Sequence, residues 1–91
     1  MAKRKAIADG LLERIAQVLR KHLSQETIVD VSPSGIRNNL HVLVISRDLD
    51  DKTEQQKQEY LWSILEDGGL KKPELQRISL ILPLSVDELK R

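Results

Sequence analysis

The run Leu40-His41-Val42-Leu43-Val44-Ile45-Ser46 sets the architecture of this chain. Its residues suit a pleated, buried surface. Leu40, Val42 and Val44 fall on one side of an extended strand, and His41, Leu43 and Ile45 on the other. Upstream, residues 27–32 carry Thr27, Ile28, Val29 and Val31, and Ser32-Pro33-Ser34-Gly35 breaks the segment. Two strands with so short a connection pair antiparallel.

Helices flank this pair. In residues 6–23, Ile7, Leu11, Leu12, Ile15, Val18, Leu19 and Leu23 recur at helical spacing, with Arg14, Gln17, Arg20 and Lys21 opposite. Gly10 marks either close packing or a late helix start, with Asp9 near the cap. After a charged connection at 47–52, Thr53 and Gln56 have capping-box spacing. Tyr60, Leu61, Ile64 and Leu65 give that helix its apolar side, and Gly68-Gly69 stops it. Residues 71–74, with Pro73, read as a loop. Residues 77–82 read as a third strand, with Ile78, Leu80 and Leu82 on one face and Pro83 as its end. Ser85 and Glu88 repeat the capping-box spacing, so a short helix is expected over 86–91. The order α-β-β-α-β-α predicts an α+β fold: a three-stranded mixed sheet with helices packed on one face. The other face is then left partly open.

Composition narrows the function classes. Ninety-one residues make one domain, expected to span 1–91 with a flexible basic start at 1–5. Fifteen basic residues against 14 acidic give net charge +1, so no strong field draws nucleic acid or anionic lipid. With no Cys, disulfides and thiolate ligation within the chain are excluded. No apolar run reaches membrane-spanning length, and the first residues lack the apolar core of a signal peptide, so a cytoplasmic location is expected.

Candidate chemical groups are sparse. His22 and His41 have no metal-motif companions and read as a boundary residue and a strand residue. Asp48, Asp50, Asp51 and Glu54 stand in a polar stretch and read as solvated, dipole-complementing charge. Asp48-Leu49-Asp50 lacks the rest of a calcium loop. The four glycines have no phosphate-loop spacing. Trp62 lies at the edge of its helix's apolar stripe, as core-edge packing or as an interface anchor.

Residues 40–49 (LHVLVISRDL), Lys52-Thr53, the helix ending LWSIL and the closing RISLILPLSVDEL resemble the BolA-like family. The resemblance spans about residues 6–90 and implies a fold related to the class II KH domain. In that family a second-helix His, within an Arg-His pair, and a His or Cys between the first strands are associated with an iron–sulfur cluster shared with a monothiol glutaredoxin. Here Lys57-Gln58 stands at the Arg-His pair and Arg77 at the His that begins the third strand. Asn39-Leu40 replaces a His-Phe pair, with His41 displaced from it. Asp51 stands for a Gly, and Leu89 for the closing Trp. Gln is a poor iron ligand, so no cofactor is expected.

The reading that follows is a non-enzymatic accessory or regulatory module that binds a protein partner, glutaredoxin being one candidate. The alternative is a KH-like nucleic-acid-binding domain, with Arg37, Arg47, Lys52, Lys57 and Arg77 gathered near one end of the sheet. Against that alternative stand the balanced charge and the missing Gly-x-x-Gly clamp. Binding is assigned to Arg47, Lys52, Lys57, Gln58, Trp62 and Arg77. No catalytic set can be assembled. The expected state is a monomer or a weak dimer.

Overall fold

Val42 and Val44 lie fully buried at the middle of a three-stranded sheet, in a computed structural model that describes residues 10–89. β2 (Leu40–Ser46) is the central strand. It pairs antiparallel with β1 (Ile28–Pro33) and parallel with β3 (Ile78–Ser85), so the sheet is mixed. The element order is α1 (Leu11–His22), β1, β2, α2 (Glu54–Asp67), α3 (Lys72–Leu75), β3 and α4 (Val86–Leu89). A single 3-10 turn, Arg47–Leu49, follows β2. The expected basic start at 1–5, and the outer ends of the first and last helices, lie outside the described residues.

Helices cover one sheet face. α1 lies over β1 and also meets α2, which reaches β3. Leu11, Ile15 and Leu19 of α1 and Leu61, Ile64 and Leu65 of α2 meet Val29, Leu40, Val42, Val44, Ile78 and Ile81 in one aliphatic core. Side chains of this kind each contribute about 1.5–3 kcal/mol by leaving water. No helix of the described residues is long and apolar enough to cross a membrane.

The Thr53–Gln56 capping box is present in full: each side chain accepts a hydrogen bond from the other residue's backbone N–H. The Ser85–Glu88 pair is equally reciprocal. In both cases a local sequence signal satisfied helix-end donors as expected.

Of the two readings of Gly10, the late helix start holds: α1 begins after Gly10, which is left-handed at φ 76°, and a Cβ there would meet nothing within 4 Å among the described residues. Three expectations need correction. Residues 72–75 are not a loop but a helical turn, because Pro is tolerated in a first turn and Glu74 accepts from the Lys71 N–H. β3 does not end at Pro83, which pairs with Val44. β3 is an edge strand, where a missing N–H is tolerated. Finally, Ile78, Leu80 and Leu82 do not share a face: Leu40 pairs with Ile78 but His41 pairs with Leu80. Ser79 is therefore an extra, unpaired residue, and its hydroxyl donates to the Leu40 carbonyl. Beyond it, Ile81, Pro83 and Ser85 turn inward, and Leu80 and Leu82 turn out.

Gly68 and Gly69 also divide their work. Gly69 takes the left-handed conformation at φ 95° that stops α2. Gly68 has an ordinary φ of −79° and is small because α1 passes close by: a Cβ there would stand 2.3 Å from Val18 Cγ1. An unobstructed Gly→Ala change stabilises by about 0.4–1 kcal/mol. Gly68→Ala is expected instead to destabilise by about 1–3 kcal/mol through overpacking. Val18→Ala in the same chain should recover at least half of that loss, measured by urea denaturation. A stabilised single variant contradicts the close approach.

Candidate functional site

β2 separates the basic residues expected to gather at one end of the sheet. Arg37 lies in the β1–β2 connection, and Arg77 immediately precedes β3. These two belong to one end: the Arg77 Nε donates to the Asn38 carbonyl at 3.0 Å, and the Leu40 N–H donates to the Arg77 carbonyl at 2.7 Å. Arg47 and Lys52 follow β2 at the other end. At ~3.3 Å per residue, a seven-residue strand separates the two groups by about 20 Å. The basic residues expected together near one end are therefore split between two.

Arg47, Lys52 and Lys57 are also engaged locally. Arg47 Nε donates to Glu26 Oε1 at 3.0 Å, in an exposed ion pair. The Lys52 ammonium sits 4.6 Å from the centre of the Tyr60 ring, beside a shallow groove lined by Asp51, Gln56, Glu59 and Ser63. Lys57 is 3% exposed and donates to Glu88 Oε1 at 2.7 Å and Glu54 Oε2 at 3.1 Å. Its ammonium is held inside the fold and ties α2 to α4. Gln58 is half-buried, and its amide donates to the Ile81 carbonyl of β3 at 2.9 Å. Trp62 is half-buried against the core.

The acidic cluster likewise has structural partners. Asp48 accepts from the Ser24 N–H at 2.8 Å, and Asp50 accepts from the Val86 N–H at 3.0 Å at the start of α4. His22 is exposed, and its ring nitrogen bonds the Val18 carbonyl at 2.9 Å. Among the described residues no group of three or more His, Cys, Asp or Glu converges in a way that could hold a metal. With Gln58 bonded to β3, the donors do not fit the shared cluster that the resemblance implies.

What the structure assembles instead is an apolar surface on the uncovered sheet face. The registers of β1, β2 and β3 align it as three rows: Ser32, His41 and Leu80; Asp30, Leu43 and Leu82; Ile28, Ile45 and Leu84. Ile28, Leu80 and Leu82 are about half exposed, at 55%, 48% and 47%. Leu43, Ile45 and Leu84 between them are partly buried by their neighbours. Sequence reasoning missed this surface because it phased β3 without the bulge. One signal was present in β2, where Leu43 and Ile45 make the outer side as apolar as the inner one. A strand apolar on both sides usually has both faces covered. Together these side chains make a contiguous apolar patch on the side of the sheet away from α1 and α2.

No family model matches the chain, and no curated protein or solved structure matches it.

The Lys57–Glu88 contact makes a testable electrostatic element. The Lys57 hydrogen bond, the Ser85 N–H and the Lys57 charge hold the Glu88 carboxyl at about 2, below its ordinary 4.5. Burial pulls the Lys57 ammonium down, but its bonds to Glu88 and Glu54 outweigh this and leave it above its ordinary 10.5. A lowered carboxyl stabilises the fold above about pH 4.5 and loses that contribution as pH falls towards 2. The raised ammonium stabilises below 10.5 and loses its contribution as pH rises beyond that. Side-chain carboxyl NMR should find Glu88 titrating near 2 and, in Lys57→Met, back towards 4.5. An unshifted Glu88 in the unmutated chain shows that α4 is not tied down in solution.

Proposed function

We propose that this chain is a BolA-like accessory or regulatory module of the cytoplasm, not an enzyme, and that it acts by binding a protein through its open sheet face. The observation that carries the reading is the apolar surface of Ile28, Leu43, Ile45, Leu80, Leu82 and Leu84, which no helix of the described residues covers. Burying an apolar surface from water is the main driving force of protein association. The α-β-β-α-β-α order and the mixed sheet agree with the fold that the resemblance implies and so support it. The family's cluster ligation is not carried over, because Gln58 stands where the ligand would be and spends its amide on β3.

The nucleic-acid alternative is weaker on geometry. Its cations stand at two ends of the sheet, Lys57 is buried in an ion pair, and the surface between them is apolar. Tracking a phosphate backbone needs a continuous basic groove.

Capture with the tagged full-length chain tests the proposal, using a Leu43→Lys/Leu82→Lys variant as the control. The expected result is a specific protein retained by the unmutated chain. With that protein purified, the variant should bind at least ~30-fold more weakly, a loss of about 2 kcal/mol. Circular dichroism should show the variant folded, since both positions face solvent on the sheet. Equal binding by both forms removes the open face from the function. Recovery of RNA instead, with affinity falling steeply with salt, moves the function to the nucleic-acid alternative.

A further inference from the structure

The open face has a symmetry that suggests what covers it. Its polar side chains are Asp30 and Ser32 of β1 and His41 of β2. Neither the Asp30 carboxylate nor the His41 ring has a hydrogen-bond or ion-pair partner among the described residues. They are not cross-strand partners either: Asp30 is opposite Leu43, and His41 is opposite Ser32. An acid and a histidine thus stand diagonally adjacent in a field of Ile and Leu.

Two such faces can stack about a two-fold axis lying between them, and the direction of that axis decides which residues meet. An axis along β2 sets His41 on its own copy and Asp30 on Leu82. An axis across the strands sets Asp30 on Asp30, and like charges brought together in an interface cost several kcal/mol. An axis along the diagonal from Ile28 to Leu80 sets Asp30 on Ile45 and His41 on Leu82. An axis along the other diagonal, through Ser32, Leu43 and Leu84, matches every position. Ile28 meets Leu80, Ile45 meets Leu82, Leu43 and Leu84 meet their own copies, and Asp30 meets His41 twice.

We propose that the open sheet face is a homodimer interface. Two copies pack their strands at near right angles about this diagonal axis, and Asp30 of each copy pairs with His41 of the other. The proposal rests on the reading of the open face as a protein-binding surface and names its occupant as a second copy of this chain. The diagonal axis turns each strand through roughly 90°, one of the two preferred angles for stacked sheets. Strand spacing of about 4.8 Å and a two-residue rise of about 6.6 Å place Asp30 and His41 within ~2 Å of equal distance from Leu43. Side-chain reach spans that difference. The isologous arrangement is the commonest form of oligomer.

The size of the face limits the affinity. Three strands of about five residues cover roughly 14 Å by 17 Å. That is smaller than the ~800 Å² per partner of a standard stable interface. Self-association is therefore weak and concentration-dependent.

Sedimentation equilibrium of the full chain, from about 10 μM to 1 mM, tests the interface. The unmutated chain should pass from monomer towards dimer. Leu43→Lys, folded by circular dichroism, should stay monomeric throughout. Asp30→Lys and His41→Asp should each weaken the dimer at least ~10-fold, and the double variant, with the pair reversed, should return to within ~3-fold of the unmutated chain. A chain monomeric at every concentration overturns the proposal, as does a dimer indifferent to Leu43→Lys. A double variant that is no better than its parents overturns the Asp30–His41 pairing. If the chain is monomeric while Leu43→Lys/Leu82→Lys still abolishes capture of another protein, the homodimer falls and the docking surface stands. If neither assay responds to these substitutions, both fall.

Discussion

The extra residue at Ser79 governs the faces of β3, and through them the surface of the molecule. Side chains alternate along a strand with period two, so one inserted residue exchanges inside for outside along everything that follows. Ile78 enters the core before the insertion, and Ile81, Pro83 and Ser85 enter it after. Without the slip, Leu80 and Leu82 would point at α2. With it, they line up with Leu43 and His41 on the open face. The sheet therefore has two apolar faces. One is sealed by α1 and α2, and no helix of the described residues lies over the other.

The polar residues around this sheet serve mostly to hold its ends. Ser46 bonds Thr27 across the β1–β2 pair and accepts from the Asp48 N–H, fixing the turn that leaves β2. Asp48 and Asp50 then reach Ser24 and Val86, drawing the start of β1 and the start of α4 to the same corner. Lys57 completes the corner by pairing with Glu88 from beneath α2. At the far end of α2, Arg14 of α1 pairs with Glu74 of α3. Exposed pairs of this second kind contribute little singly. Lys57 is different, because a buried ammonium without its carboxylates would be costly. Residues that composition marks as solvated charge are in this way largely structural, and the free chemistry of the molecule shifts to its apolar side.

This division changes what kind of binding the domain suits. A nucleic-acid surface needs cations arranged along one groove, and here a central strand separates them. A protein surface needs apolar area with a few polar groups to fix orientation. The open face has that composition, and in the proposed interface Asp30 and His41 are the orienting groups. Arg77 and Arg47 mark the two ends of the sheet, each bonded within the fold.

Much of the fold was legible in local sequence. The periodicity of α1, the alternation of β2, the capping boxes at Thr53–Gln56 and Ser85–Glu88, and the Gly69 stop each express a preference set within a few residues, and each is met. The phase of β3 was not legible. A bulge is chosen by the fit of a strand against its neighbour and its covering helix, and ISLILPLS alternates almost equally well in either register. The roles of Lys57, Gln58 and Gly68 were hidden for the same reason. Lys57 meets Glu88 across 31 residues, Gln58 meets Ile81 across 23, and Gly68 is small because of Val18 in another helix. The sequence by itself determined the main helices and strands, their order and the aliphatic core, because those follow from period and propensity. Only the tertiary structure decided which charges are buried, where the cations stand and which apolar residues are left facing out, because those depend on contacts between segments far apart in the chain.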